Sequence, residues 1–257
     1  VVADNPYAPP VAEWEPVPAA PQGSWSVPRV YRDTVRTFIR CWPVLLSGEL
    51  VNHLPNILWS ELRRLGPVAW RHQLPWVIGL FAVTRGVGFV LDAGATLQWL
   101  TAFRGGKPRF SQIVRGPHPG RFLLLALIQY STFGLPFVWR LAHPSNALLS
   151  SYWATMLVNV VHFIWFEFAC AAIVVSNLDV GAAILQGWRI IRGAPLKVLA
   201  VAAINYGLHW LNNALFGRVG MPPTAIAGGV ATLICFQVLA PAQDAEEAEM
   251  SALPALE

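Results

Sequence analysis

Glu49, Asn52, His53 and Asn56 stand at i, i+3, i+4 and i+7 in GELVNHLPNILWSEL, residues 48–62. That spacing puts a carboxylate, two amides and an imidazole on one face of a helix. Two chemistries fit the set. It is a polar seam that fixes the register of packed helices, or it is part of a path for an ion or a substrate. Further ionisable residues follow in apolar surroundings: Arg85, Asp92 and Glu167. Asp92 lies two helical turns past Arg85, roughly 10 Å along the axis and on the same face. An ionised group in a lipid interior costs several kcal/mol unless paired. Arg85 is therefore the expected cationic partner of Glu49, and the seam is the preferred reading of the whole set.

A second stripe comprises Asn205, His209, Asn212 and Asn213, and its His209-x-x-Asn212 echoes His53-x-x-Asn56. Such pairs hydrogen-bond across helices, at about 1 kcal/mol or less each in membranes. His162 sits in VVHFIWFEF among Phe163, Trp165, Phe166 and Phe168. A neutral imidazole in an aromatic nest can ligate a haem iron or a chlorin magnesium. His162 and His209 are thus the candidate pigment or haem ligands, although no residue pattern requires a cofactor. No Ser-His-Asp arrangement, phosphate loop, HExxH or Cys/His metal cluster is present, so neither catalytic nor metal-ligating residues are assigned. Cys41, Cys170 and Cys235 show no CxxC spacing and read as packing residues.

The elements that must position these residues belong to a membrane protein. The chain has 257 residues, 55% apolar and 12% charged, against about 25% charged in soluble domains. Four runs contain no Asp, Glu, Lys or Arg: Phe122–Trp139, Asn146–Phe166, Val198–Phe216 and Met221–Gln243. A transmembrane helix needs roughly 17–25 mostly apolar residues. Two charge-bearing stretches, Trp42–Leu62 and Leu74–Phe103, bring the expected number of spans to six. The first also suits a helix lying in the interface, because it carries Pro43, Pro55 and the polar stripe. Pro55 is the candidate break of a discontinuous transporter-type helix.

Three units share one logic. VYRDTVRTFIRCWPVLL, RFSQIVRGPHPGRFLLLALI and ILQGWRIIRGAPLKVLAVAAI each carry a short basic amphipathic segment, a breaker with Pro, then an apolar run. Arg40, Arg115 and Arg192 take equivalent places. The expectation is three copies of a surface helix followed by a two-span hairpin. Arg36, Arg40, Arg109, Arg115, Arg189 and Arg192 would meet lipid headgroups from one side. That excess of basic residues places both termini in the cytoplasm. Nucleic acid is not an expected partner, since it would leave the apolar runs unexplained. Residues 1–28 form a Pro-rich tail, 29–243 the membrane domain, and 244–257 an acidic tail.

VVSNLDVGAAILQGWRIIRGAPLKVLAVAAI, residues 174–204, resembles the uncharacterised six-helix inner-membrane proteins of bacteria. It is also similar to the membrane domain fused to some glycerophosphodiester phosphodiesterases. The shared pattern is a small-residue turn (Ser176–Gly181), an aromatic followed by basic residues (Trp188, Arg189, Arg192), then a span. The resemblance implies an all-α, polytopic protein of the bacterial inner membrane and lends no catalytic residues. The combined reading is a non-catalytic accessory or scaffolding subunit of a larger membrane assembly, with lipids and other membrane subunits as partners. A transporter or permease and a pigment- or haem-binding subunit are the two alternatives.

Overall fold

The computed structural model describes residues 25–65, 74–129, 131, 165–216 and 222–252. Among these residues every regular element is helical. They are α1 (Val27–Leu65), α2 (Leu74–Phe103), a short 3-10 turn (Phe110–Gln112), α3 (Pro119–Gln129), α4 (Trp165–Ser176), α5 (Val180–Gly193), α6 (Pro195–Phe216) and α7 (Pro222–Ala252). The expected stretch Leu74–Phe103 is a helix over that same range.

α1 runs 39 residues through both of its prolines, and its backbone leaves helical values at Cys41 (φ −122°, ψ 16°). Pro43 accounts for the kink. It offers no N–H to the carbonyl of Ile39, and its ring crowds that carbonyl. The kink divides the basic segment from the polar stripe, as the first unit requires. Pro55 causes no comparable departure, so the break expected there does not occur. The third unit repeats the device. α5 ends at Gly193, Ala194 takes a non-helical conformation (φ −147°, ψ 58°), and α6 begins at Pro195. Pro suits a first helical position because that residue's N–H has no partner in the helix.

The second unit departs from the pattern. Its expected amphipathic helix is only the 3-10 turn at Phe110–Gln112, followed by turns through His118 (φ 50°). Pro108, Pro117 and Pro119 deny the segment a run of N–H donors. In addition, the backbone of Ile113 lies against Gly94 of α2, where any side chain would collide with it. Residues 110–116 are therefore held as a strap across α2, which a regular surface helix has no room to replace.

The helices leave and return to one end of the molecule. At that end Tyr31 of α1 donates to the Val201 carbonyl of α6 at 3.2 Å. Arg40 of α1 donates to the Ala102 carbonyl at the end of α2. The Arg104 guanidinium lies 5.7 Å from the Phe236 ring centre of α7. Arg121, at the start of α3, reaches the carbonyls of Asn177 and Leu178 at 2.7 and 2.9 Å, just past α4. α1, α3 and α6 thus start toward the end where α2 and α4 finish, and α7 passes that end at Phe236. Asn177, with φ 52°, makes the turn between α4 and α5, which are bent by 118° to one another. Asp179 caps α5, accepting from the Ala182 amide at 2.8 Å.

Two adjoining apolar cores hold this arrangement. One gathers Leu45, Trp99, Phe103, Phe168, Val201 and Ile234; the other gathers Phe89, Phe122, Leu125, Phe166 and Ile173. Cys170 and Cys235 are buried free thiols within them. Among the described residues, Pro222–Leu239 alone is a single unbroken helix long and apolar enough to cross a membrane; α4 and α5 reach that measure only as a bent pair. Much of the expected spans Phe122–Trp139 and Asn146–Phe166 lies outside the described residues. At the two ends, helix α1 begins at Val27, inside the expected Pro-rich tail, and α7 continues to Ala252, past the expected acidic boundary.

Candidate functional site

Glu49 is buried on α1, with 4% of its surface exposed. The Trp99 indole N–H of α2 donates to Glu49 Oε1 at 3.2 Å. One turn along α1, Asn52 Nδ2 donates to Asp92 Oδ1 at 2.6 Å. His53 Nδ1 stands 3.8 Å from Glu49 Oε2 and has no hydrogen-bond partner among the described residues. Glu167, from α4, lies close enough to Asp92 and Glu49 for their charges to act on its own. His53 stands in the same relation to His209 of α6. Three helices therefore bring three carboxylates and the His53 imidazole to one interior region, with the exposed His209 of α6 within electrostatic range of His53.

Among the described contacts, the partner of Glu49 is Trp99. The side chain of Arg85 lies outside the described residues, as does that of Asn56. The geometry explains the choice of Trp99. It sits seven residues past Asp92, two turns along the same face of α2. Its indole offers a donor without a charge to desolvate. The acceptor side is completed by α7. A side chain at Gly228 would begin 3.1 Å from Glu49 Oε1, and one at Gly229 would begin 2.6 Å from the Trp99 ring. This glycine pair lets α7 lie directly on the Glu49–Trp99 contact. Trp99, Gly228 and Gly229 were missed in the sequence, although Gly-Gly inside an apolar helix is a recognisable signal of close helix approach.

The second stripe divides. Asn205 Oδ1 accepts from the Tyr31 hydroxyl at 2.5 Å, which ties α6 to α1. Asn212 is buried, and its Oδ1 has no hydrogen-bond partner among the described residues. His209 is exposed, and His162 lies outside the described residues, so no two-histidine ligand pair is seen. Among the described residues, no three His, Cys, Asp or Glu side chains stand close enough to hold a metal ion. Glu49, Asp92 and Glu167 are neighbours at electrostatic range and do not form a chelating set.

The six expected headgroup residues, Arg36, Arg40, Arg109, Arg115, Arg189 and Arg192, are all exposed. They occur on α1, on the strap after α2 and on α5, the segments that meet at the single end described above. No family model, curated protein or solved structure matches the chain. Any functional reading must therefore come from its own residues.

Proposed function

We propose that the chain is an integral protein of the bacterial inner membrane, with six transmembrane helices in three hairpins and both termini cytoplasmic. It serves there as a non-catalytic accessory or scaffolding subunit of a larger membrane assembly. The observation that carries the membrane placement is the inversion of α1. Past its kink it hides Glu49 and Asn52 and presents Leu50, Leu54 and Leu58, the last two more than half exposed. Leaving such leucines in water forgoes roughly 1.5–3 kcal/mol each. In acyl chains that cost vanishes, and burying the carboxylate against Trp99 becomes the favourable arrangement. The exposed arginines at one end support the orientation.

The packed polar interior supports the subunit role. Glu49, Asn52 and Gln98 each spend a polar group on another part of the same chain. The outward surfaces, including Trp42 and Trp210, are aromatic or aliphatic and suit lipid or neighbouring helices. Purification of the intact chain in mild detergent tests the role: the expected result is co-isolation with other membrane subunits. Recovery as a lone, monodisperse monomer contradicts it.

A second reading, a transporter or permease, is favoured by one observation: Glu49, Asp92 and Glu167 converge beside His53, whose Nδ1 has no hydrogen-bond partner among the described residues. In that reading the carboxylates pass a proton or accompany a solute. Glu49→Gln then abolishes flux in proteoliposomes while the protein still folds, whereas undiminished flux removes the role.

A further inference from the structure

The geometry points to a binding site for the phosphate headgroup of an anionic phospholipid, in the cleft where α5 gives way to α6. The cavity is about 500 Å³ and is lined by Trp25, Gln186, Arg189, Ile190, Lys197 and Val238, with the Gly193–Pro195 turn between them. Its chemistry is amphipathic: two cations and an amide line it together with an indole and aliphatic side chains, and no carboxylate among the described residues does.

Lys197 is not a loosely held surface lysine. Its ammonium donates to the Trp25 carbonyl at 2.8 Å and sits 5.3 Å from the centre of the Trp25 ring. Such placement over an indole is attractive to the cation, and it leaves two of the three ammonium hydrogens to donate elsewhere. Arg189 is exposed, makes no ion pair with a described residue, and can present two parallel N–H groups to phosphate oxygens. The first turn of α6 adds the amides of Leu196 and Lys197, which have no acceptor within their helix, beside Pro195, which has no N–H. Leu196, which lines the cleft, is 80% exposed, and Leu199, one turn further along α6, is 61% exposed. That gives an anion-binding recess with an apolar flank beside it, the order in which a phospholipid presents its phosphate and its acyl chains. A free phosphate would use the recess alone. The site rests on the membrane placement proposed above and deepens it, by assigning a specific lipid class to a specific cleft.

The test uses the full chain in nanodiscs of phosphatidylcholine containing a minor fraction of phosphatidylglycerol. Native mass spectrometry after gentle release reads the lipid retained. The expected result is retained phosphatidylglycerol, reduced about fivefold by Lys197→Gln and about fivefold by Arg189→Gln, the factor for one headgroup-facing cation. Arg32→Gln, an equal charge loss outside the cleft at a side chain already paired with Asp33, leaves retention unchanged. Equal losses for all three variants mean diffuse attraction and overturn the site. Displacement by millimolar inorganic phosphate without preference for the lipid overturns the lipid source. Increased retention on deleting residues 1–22 or 244–257 identifies a chain terminus as the occupant and also overturns the assignment. If alkaline carbonate releases the chain from native membranes, the membrane placement itself fails; insertion without selective retention defeats the cleft alone.

Discussion

Two polar regions of this protein obey opposite rules. In the interior between α1, α2, α4 and α7, the acids are hidden: Glu49 faces Trp99, Asp92 faces Asn52, and glycines let α7 close over them. At the end where the helices begin and finish, arginines stand exposed above apolar side chains. A protein dissolved in water would show its carboxylates and its arginines alike. Here Glu49 and Asp92 are turned to partners inside the bundle, and the leucines of α1 are turned outward. On the proposed membrane placement, the difference follows from a solvent that changes along the helix axis, apolar in the middle and anionic and wet at the end.

Substitutions that break the interior are expected to have the largest effect. Gly229→Ala drives a methyl group into the Trp99 ring and is predicted to cost about 1–3 kcal/mol through overpacking. Thermal unfolding in detergent measures it, and an unchanged midpoint contradicts the close approach of α7. Next comes Asn52→Leu. It removes the donor to Asp92 and leaves a carboxylate oxygen without that bond, at about 1–3 kcal/mol. Asp92→Asn in the same chain should recover part of the loss, because a neutral amide is cheaper to hold inside lipid.

Smaller effects belong to the exposed end. Tyr31→Phe deletes the hydroxyl bonded to Asn205 and is predicted to cost about 0.5–1.5 kcal/mol. If it costs nothing, the α1–α6 tie is not a source of stability. Arg36→Gln should leave the unfolding midpoint unchanged while weakening attraction to anionic vesicles by about 1 kcal/mol. A stability loss there larger than at Asn52 would reverse the proposed sorting of the two regions.

The sequence disclosed helices better than it disclosed partners. Leu74–Phe103 was legible because a long apolar run, broken only by Arg85 and Asp92, has few ways to satisfy its backbone other than a helix. The breaks at Cys41 and Ala194 were legible because Pro43 and Pro195 mark them chemically. The strap at residues 110–116 was not. Its resemblance to the other two units hid the contact with Gly94, a tertiary constraint with no local signature. The site divides in the same way. The stripe of Glu49, Asn52 and His53 was visible as periodicity, and Asn52 does meet Asp92. The contact of Glu49 with Trp99 was not legible, because an indole inside an apolar run carries no charge to mark it. Arg85 precedes Asp92 by two turns, whereas Trp99 follows it by two, and the antiparallel path of α2 brings the later turn beside Glu49.

The central claim is that lipid bathes the outer face of α1 while its polar face is packed inside. A nitroxide spin label at Leu54→Cys, compared with one at Asn52→Cys, tests this most directly in a Cys41→Ser background reconstituted into bilayers. At position 54 the account predicts relaxation by dissolved oxygen and none by an aqueous nickel chelate; at position 52 it predicts immobilisation and protection from both. Ready access of the nickel chelate to position 54, with oxygen giving no advantage, would contradict it.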